Sequence, residues 1–119
     1  MTSFEIENAQ DLDKVIFFAN NHDDPLNVLL KNDIIATYWQ PIVDFYGTFD
    51  GQGHTISGLR LNNPSLNHFS FIGRLTQGGV VKNLNIKDTE FVGDSAIGGI
   101  VSTNEGTVEN CTFSGTIQA

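Results

Sequence analysis

The chain has few of the residues that mark several common classes of protein. It holds one cysteine and three prolines in 119 residues, and only six Lys and Arg against fourteen Asp and Glu, for a formal charge of −8. A single cysteine excludes an internal disulfide and a cysteine-rich zinc site. The negative charge disfavours ordinary binding to nucleic-acid phosphates. We therefore expect no nucleic-acid partner. No apolar run approaches the roughly 20 residues of a membrane span, so we also expect no membrane insertion.

Size and composition predict one compact domain. Thirty-nine per cent of the residues are hydrophobic, which is enough to build one core in a chain of this length. Residues 1–7 lack the basic and apolar segments of a secretory signal, so we expect a cytosolic protein or a mature piece whose signal has been removed.

One apolar spacing occurs three times in the second half of the chain. Ile56, Leu59 and Leu61 are followed after 25 residues by Val81, Leu84 and Ile86, and these after 27 residues by Val108, Cys111 and Phe113. A fixed spacing of this length is typical of solenoids, in which each repeat buries its apolar side against its neighbours. We therefore predict three inward columns, Ile56/Val81/Val108, Leu59/Leu84/Cys111 and Leu61/Ile86/Phe113.

A corner is predicted within each repeat, at Gly58, Asn83 and Asn110. Asn83 and Asn110 are expected to stack their side-chain amides. Because Cys111 takes a position held elsewhere by leucine, we expect a small buried hydrophobe. Gly51 and Gly53 predict a tight turn with positive φ angles.

The first part of the chain predicts one amphipathic helix. Residues 8–20 place four apolar side chains at helical spacing, with Asn8 as the N-cap and Asp11 three positions later. Phe4 and Ile6 alternate with polar residues and predict a short strand before the helix. After residue 25 only strand-length segments separated by Gly, Asn and Pro remain.

Three segments of the chain resemble the GLUG-type repeat. Residues 45–59 read Phe-Tyr-Gly-Thr-Phe-Asp-Gly-Gln-Gly-His-Thr-Ile-Ser-Gly-Leu, and residues 78–84 and 105–111 repeat the Gly-x-Val-x-Asn pattern. Such repeats occur in bacterial surface and secreted proteins, including adhesin-like proteins and the N-terminal regions of immunoglobulin A peptidases. The resemblance implies a mainly β fold, a short right-handed parallel β-helix with an N-terminal α-helical cap. Residues 1–44 would form the cap and lead-in strands, and residues 45–119 the β-helix coils.

The resemblance also implies a function in adhesion or display, in an extracellular or cell-surface location. The sequence stops about one rung after the last full repeat and leaves Thr107, Val108, Cys111 and Phe113 as an open edge. Unpaired strand edges attract other strands. We therefore expect the partners to be a protein or glycan surface ligand, or further copies of the chain.

Catalytic motifs are sparse, so the sequence predicts a non-enzymatic protein without cofactor or metal. His22, His54 and His68 stand apart and form no His-Glu-x-x-His pattern, and His54 is interpreted as a hydrogen-bonding corner residue. The carboxylate pairs Asp23–Asp24, Asp44 with Asp50, and Asp88 with Glu90 are candidates for acid–base catalysis or calcium binding. Each pair also fits a solvated turn.

One aromatic cluster is a candidate ligand platform. Tyr38, Trp39, Phe45 and Tyr46 could stack on a sugar ring, or could pack the lead-in segment against the first coil. Two alternative functions therefore stay open beside the structural or adhesive one. The first is a carbohydrate-binding or polysaccharide-active β-helix, and the second is an acidic inhibitor that mimics DNA.

Overall fold

Short β-strands and one α-helix make up the parts of the chain that the structure, a computed structural model, describes: residues 2–21, 25–36, 42–62, 71–92 and 100–118. The elements in chain order are β1 (Thr2–Ile6), α1 (Ala9–Asn21), β2 (Leu26–Leu30), β3 (Ile34–Ile35), β4 (Ile42–Phe45), β5 (Gly47–Asp50), β6 (Thr55–Ser57), β7 (Arg60–Asn62), β8 (Ile72–Leu75), β9 (Val80–Lys82), β10 (Asn85–Val92), β11 (Val101–Asn104), β12 (Thr107–Glu109) and β13 (Thr112–Gln118). The predicted mainly β fold with one N-terminal helix is confirmed.

Helix α1 begins where the sequence predicts. The Asn8 side-chain oxygen accepts a hydrogen bond from the Asp11 N–H at 2.9 Å, and the Asp11 carboxylate accepts one from the Glu7 N–H at 3.0 Å. The first bond satisfies a backbone donor that a helix start leaves unpaired, and the second ties Asp11 to the residue before the N-cap. The helix buries Leu12, Val15 and Ile16, and it contacts strands β1 and β4.

The strands form three parallel sheets, and the chain visits them in a constant order. Sheet A has the order β1-β2-β5-β9-β12, sheet B the order β13-β10-β6-β3 with β7 also pairing with β10, and sheet C the order β11-β8-β4. From residue 42 onward the chain passes three times through sheets C, A and B. We call residues 42–62, 72–92 and 101–118 repeats 1, 2 and 3.

Strand register aligns one apolar side chain from each repeat. Sheet A carries the row Phe4, Val28, Phe49, Val81, Val108. Sheet B carries the row Ile34, Ile56, Ile86, Phe113. The predicted spacing of 27 residues between repeats 2 and 3 is therefore confirmed for Val81 with Val108 and for Ile86 with Phe113.

The predicted alignment of repeat 1 is wrong. Ile56 lies opposite Ile86 rather than Val81, and Leu61 lies opposite Phe91. Leu84 and Cys111 are adjacent, since the Thr112 N–H donates to the Leu84 carbonyl. They lie just before the sheet B strands β10 and β13, whereas Leu59 lies after the sheet B strand β6. In repeat 1 the predicted column residues, with their spacing of three and then two positions, lie across the β6–β7 corner. In repeats 2 and 3 the same spacing lies across the corner between sheets A and B. The predicted alignment therefore matched two different corners.

The predicted equivalence of Gly58 with Asn83 and Asn110 is wrong for the same reason, and one of the two turn glycines also differs from the prediction. Gly58 has a φ of 80° and aligns with Asp88 at the β6–β7 corner, so it is not the counterpart of Asn83 and Asn110. Gly53 has the predicted positive φ of 80°. Gly51 does not; a Cβ there would lie 2.4 Å from the Asn83 carbonyl oxygen, so this glycine allows two repeats to approach closely.

The core is one continuous cluster between the sheets and the helix. Its fully buried aromatic rings, Phe45, Phe49 and Phe71, pack edge-on, with centroids 6.1 Å and 5.7 Å apart along the series. Strands β1 to β3 contribute to sheets A and B, and the expected boundary at residues 44–45 falls inside β4. No helix of the described residues is long and apolar enough to span a membrane.

Candidate functional site

The open edge predicted from the sequence lies at one end of all three sheets. Strands β11, β12 and β13 are the last members of sheets C, A and B, and among the described residues no strand pairs with their outer sides. The Thr107 N–H donates to the Gly79 carbonyl, and the Glu109 carbonyl accepts from the Asn83 N–H. Because backbone bonding alternates along a strand, the N–H and C=O of Val108 point away from repeat 2.

Side chains at this edge are less buried than their counterparts one repeat earlier. Val81, Leu84 and Ile86 are completely buried. Their counterparts in repeat 3, Val108, Cys111 and Phe113, are only partly buried, and Thr107 is exposed. Cys111 is therefore not the fully buried hydrophobe that the sequence predicts; its Sγ lies 3.1 Å from the Glu109 carbonyl oxygen.

Two ladders of polar side chains connect the repeats beside this edge. The Asn110 amide donates to the Asn83 side-chain oxygen at 2.7 Å, and the Asn83 amide donates to the Asp50 carboxylate at 3.3 Å. This confirms the predicted Asn83–Asn110 stack and adds Asp50 to it. In the second ladder the Thr112 hydroxyl donates to the Asn85 side-chain oxygen at 2.7 Å, and the Asn85 amide donates to the Gly53 carbonyl at 3.1 Å.

The expected aromatic platform is not assembled from its described members. Phe45 is fully buried in the core, whereas the neighbouring Tyr46 is 47% exposed. Phe45 therefore faces away from any surface ligand. Tyr38 and Trp39 lie outside the described residues, so their part in a platform stays a prediction.

The candidate carboxylate pairs occupy separate places, and the carboxylates of Asp50 and Glu90 each contact a structural partner. Asp50 accepts the Gln52 N–H at 2.9 Å in addition to the Asn83 amide. Glu90 lies 3.5 Å from the Arg60 guanidinium, whose Nη1 also donates to the Asp88 carbonyl. Asp23 and Asp24 lie outside the described residues.

Of the three histidines, only His54 lies within the described residues, so only its predicted corner role can be compared with the structure. His54 Nδ1 lies 3.3 Å from the Asp33 carboxylate, and Asp33 also accepts the Thr55 N–H, so His54 sits at a hydrogen-bonded corner as predicted. His22 and His68 lie outside the described residues. Within the described part of the chain no group of three or more His, Cys, Asp or Glu side chains is arranged to hold a metal ion.

A charged cluster on the outer face of sheet C was not singled out from the sequence. Arg74 Nε donates to Glu105 Oε2 at 2.7 Å and Arg74 Nη2 to Glu105 Oε1 at 3.1 Å, while Asp44 lies 3.9 Å from Arg74 Nη1. The hydrogen bond from Arg74 lowers the pKa of Glu105, and the hydrogen bond to Glu105 raises the pKa of Arg74. The two partners are 31 positions apart, so only the register of sheet C brings them together.

This cluster borders an open groove between the C-terminal end of α1 and sheet C. The groove has a volume of about 890 Å³. Side chains of different kinds line it, among them Asn20, Asn21, Tyr46, Arg74, Gln77 and Glu105. Of the two described members of the expected platform, Phe45 and Tyr46, only Tyr46 lines this groove.

Repeats whose strands pair in parallel within the same three sheets define the class of this protein as a mainly β repeat protein. Within that class, the chain carries a GLUG motif at residues 93–118. The match covers the whole of repeat 3. The resemblance to GLUG-repeat proteins drawn from the sequence is confirmed by this match.

Two curated proteins are similar to the chain over much of its length. It is 30% identical to "Halomucin" of Haloquadratum walsbyi over 128 aligned residues that cover 96% of this chain and 1% of that protein. It is 28% identical to a "Putative Gly-rich membrane protein" of Evansella cellulosilytica over 79 aligned residues, 60% of this chain and 9% of that protein. The chain thus spans a small part of both relatives. No solved structure matches it significantly.

Proposed function

We propose that this chain is a non-enzymatic module of a surface-associated repeat protein, in which it serves adhesion, display or self-assembly. The observation that carries the proposal is the continuation of buried apolar rows to an open edge. Val81 and Ile86 are completely buried under repeat 3, while Val108 and Phe113 at the same row positions are only partly covered. A further set of strands on this edge would bury them.

The proposed architecture is a short right-handed parallel β-helix with α1 as its N-terminal cap. The constant order of sheets C, A and B in three repeats supports it, because a chain that winds around one axis meets each wall once per turn. Parallel strands joined by such crossovers are almost always right-handed. The contacts of α1 with β1 and β4 support its role as a cap.

The same comparisons support a location outside the cell or at its surface. One relative is named a halomucin and the other a membrane protein, and we propose an extracellular or cell-surface location for this chain. The structural contacts of Asp50, Asp44 and Glu90 support a non-enzymatic role, since each of these carboxylates already holds a turn or an arginine.

Self-association through the edge gives the most direct test. In the isolated chain we propose that a second copy covers strands β12 and β13. Val108→Pro removes the outward N–H of β12 while the N–H groups that bind repeat 2 remain, because proline is compatible with an edge position. Phe17→Ala, which removes a 67% exposed ring on α1, serves as the matched control.

Sedimentation at increasing concentration measures the outcome. The wild type and Phe17→Ala should form dimers, and Val108→Pro should remain a monomer with an unchanged circular dichroism spectrum. A wild type that stays monomeric up to about 1 mM, where even an association of only about 4 kcal/mol would be substantially populated, would contradict self-assembly. Equal dimerisation of Val108→Pro would show that another surface carries it.

A further inference from the structure

The groove between α1 and sheet C has the composition of a ligand site. Its volume of about 890 Å³ lies within the roughly 300–1,000 Å³ of pockets that hold small molecules. It combines exposed apolar surface with fixed hydrogen-bonding groups. Nothing in the proposed scaffold function requires such a combination on the outer face of a sheet.

The exposed apolar surface of the groove comes largely from two side chains that are three positions apart in the chain. Val43 is 63% exposed and Tyr46 is 47% exposed, and both line the groove. An aromatic ring with a polar hydroxyl offers a face for C–H groups and a tip for a hydrogen bond. This is the surface that the C–H face of a pyranose ring matches.

Several polar groups of the groove are held in place by hydrogen bonds within the fold. Glu105 accepts hydrogen bonds from Nε and Nη2 of Arg74, and the Asn20 side chain accepts the Val43 N–H at 2.8 Å. The Thr76 hydroxyl donates to the Phe45 carbonyl at 3.2 Å. Side chains with planar amide, guanidinium and carboxylate groups can donate to and accept from neighbouring hydroxyl groups at fixed spacing. Their fixed positions reduce the entropy lost on binding.

Charge selects among hydroxyl-rich ligands. Asp44 and Glu105 contribute two negative charges against the single positive charge of Arg74, and no lysine is among the described residues that line the groove. Arg74 already contacts both carboxylates, so it offers little attraction to a further anion. The chain as a whole carries a charge of −8, which repels uronate, sulfate and phosphate groups.

We propose that this groove binds a neutral oligosaccharide, with Tyr46 stacking on one sugar ring while Arg74, Glu105 and Gln77 hydrogen-bond its hydroxyl groups. The site differs from the platform expected from the sequence, because Phe45 is buried and the other contributors come from β8 and the segments after β8 and β11. The proposal is independent of self-assembly, which uses a different part of the fold, the backbone edges of β12 and β13.

Binding to immobilised glycans tests the proposal. The probes are neutral gluco-, manno- and galacto-oligosaccharides, with uronate and sulfated oligosaccharides on the same array, followed by calorimetry with the strongest neutral probe. Tyr46→Ala should weaken binding at least tenfold, whereas Tyr46→Phe should retain the stacking face and most of the affinity. Phe17→Ala removes a similarly exposed ring outside the groove and should leave the affinity unchanged.

Arg74→Lys tests the polar half of the site. It keeps the charge but loses the planar fork, so the affinity should fall several-fold. Thermal unfolding of each variant separates lost binding from lost folding. The proposal is overturned if no neutral probe binds the wild type, if only anionic probes bind, or if a folded Tyr46→Ala variant binds as tightly as the wild type.

Discussion

The side-chain amide of Asn110 donates to the side-chain oxygen of Asn83 at 2.7 Å, one repeat apart. Both residues have left-handed backbone conformations, with φ of 51° and 54°. Asparagine tolerates this conformation better than most residues, and its amide can donate to one neighbour and accept from the other. The ladder therefore both turns the chain and joins successive repeats, and it leads to the first prediction.

Asn83→Asp should destabilise the protein more than Asn110→Asp. The Asn83 amide is the donor to Asp50, so a carboxylate at position 83 loses that bond and faces a like charge. We expect a loss of about 1–3 kcal/mol in the free energy of unfolding for Asn83→Asp, and about 1 kcal/mol or less for the exposed Asn110→Asp. Urea denaturation of both variants measures the difference. Equal losses would show that the middle rung has no special role.

Gly51→Ala and Gly53→Ala should differ although the two glycines share one turn. A Cβ at Gly51 would meet the backbone of repeat 2 at 2.4–2.9 Å, whereas a Cβ at Gly53 meets nothing within 4 Å. Gly51→Ala should cost about 2 kcal/mol or more, because backbone atoms must move. Gly53→Ala should cost about 1 kcal/mol, from the positive φ alone. Thermal unfolding compares them, and the reverse order would contradict the close approach of the repeats.

The contact of Arg74 with Glu105 should give a pH-dependent part of stability. The pKa of Glu105 is lowered in the folded protein, so its contribution is present above the unfolded value of about 4.3 and is lost as the pH falls through the lower folded value. Glu105→Gln should therefore be slightly less stable than the wild type at neutral pH. The difference should close below about pH 4.

A double-mutant cycle provides the control for this measurement. In an Arg74→Gln background, Glu105→Gln should remove no arginine contact and should show no such pH-dependent difference. Both side chains are about half exposed, so the effect is expected to be small. A difference that persists unchanged to pH 2 would assign it to packing instead of the ion pair.

Appending a second copy of residues 93–119 after residue 119 should stabilise the chain. The added repeat would cover Val108, Cys111 and Phe113, which are partly exposed in repeat 3. Full burial of such a side chain contributes about 1.5–3 kcal/mol, and we expect a gain of at least about 2 kcal/mol in one cooperative transition. A scrambled extension of the same composition is the control. A separate, earlier transition would show that the repeats do not stack as proposed.

Sequence spacing predicted the repeat most reliably where the corners are equal in length. From Val81 to Ile86 and from Val108 to Phe113 the chain takes five steps, and both rows are confirmed. From Phe49 to Ile56 it takes seven, because the Asp50–His54 turn is longer. A constant spacing cannot follow this change, which is why Ile56 was paired with Val81.

The polar groove was beyond sequence reasoning for a different reason. Asn20 lies in α1, Arg74 in β8 and Glu105 in the segment after β11, and no local pattern indicates that they meet. Phe45 and Tyr46 are adjacent in the sequence, yet Phe45 is buried and Tyr46 is exposed. An aromatic cluster in a sequence gives no face for each ring until the strand register is known.

The longer corner of repeat 1 shows where such a protein can change without losing its fold. Two extra residues are accommodated there while the flanking strands β5 and β6 keep full register with β9 and β10. Diversity in length can accumulate at the exposed tip of this bend, Gln52 and Gly53, so peptides inserted between these two residues would project outward and leave the packed Gly51 and the stacked interior as they are. Loop grafting for engineered presentation should start at this bend.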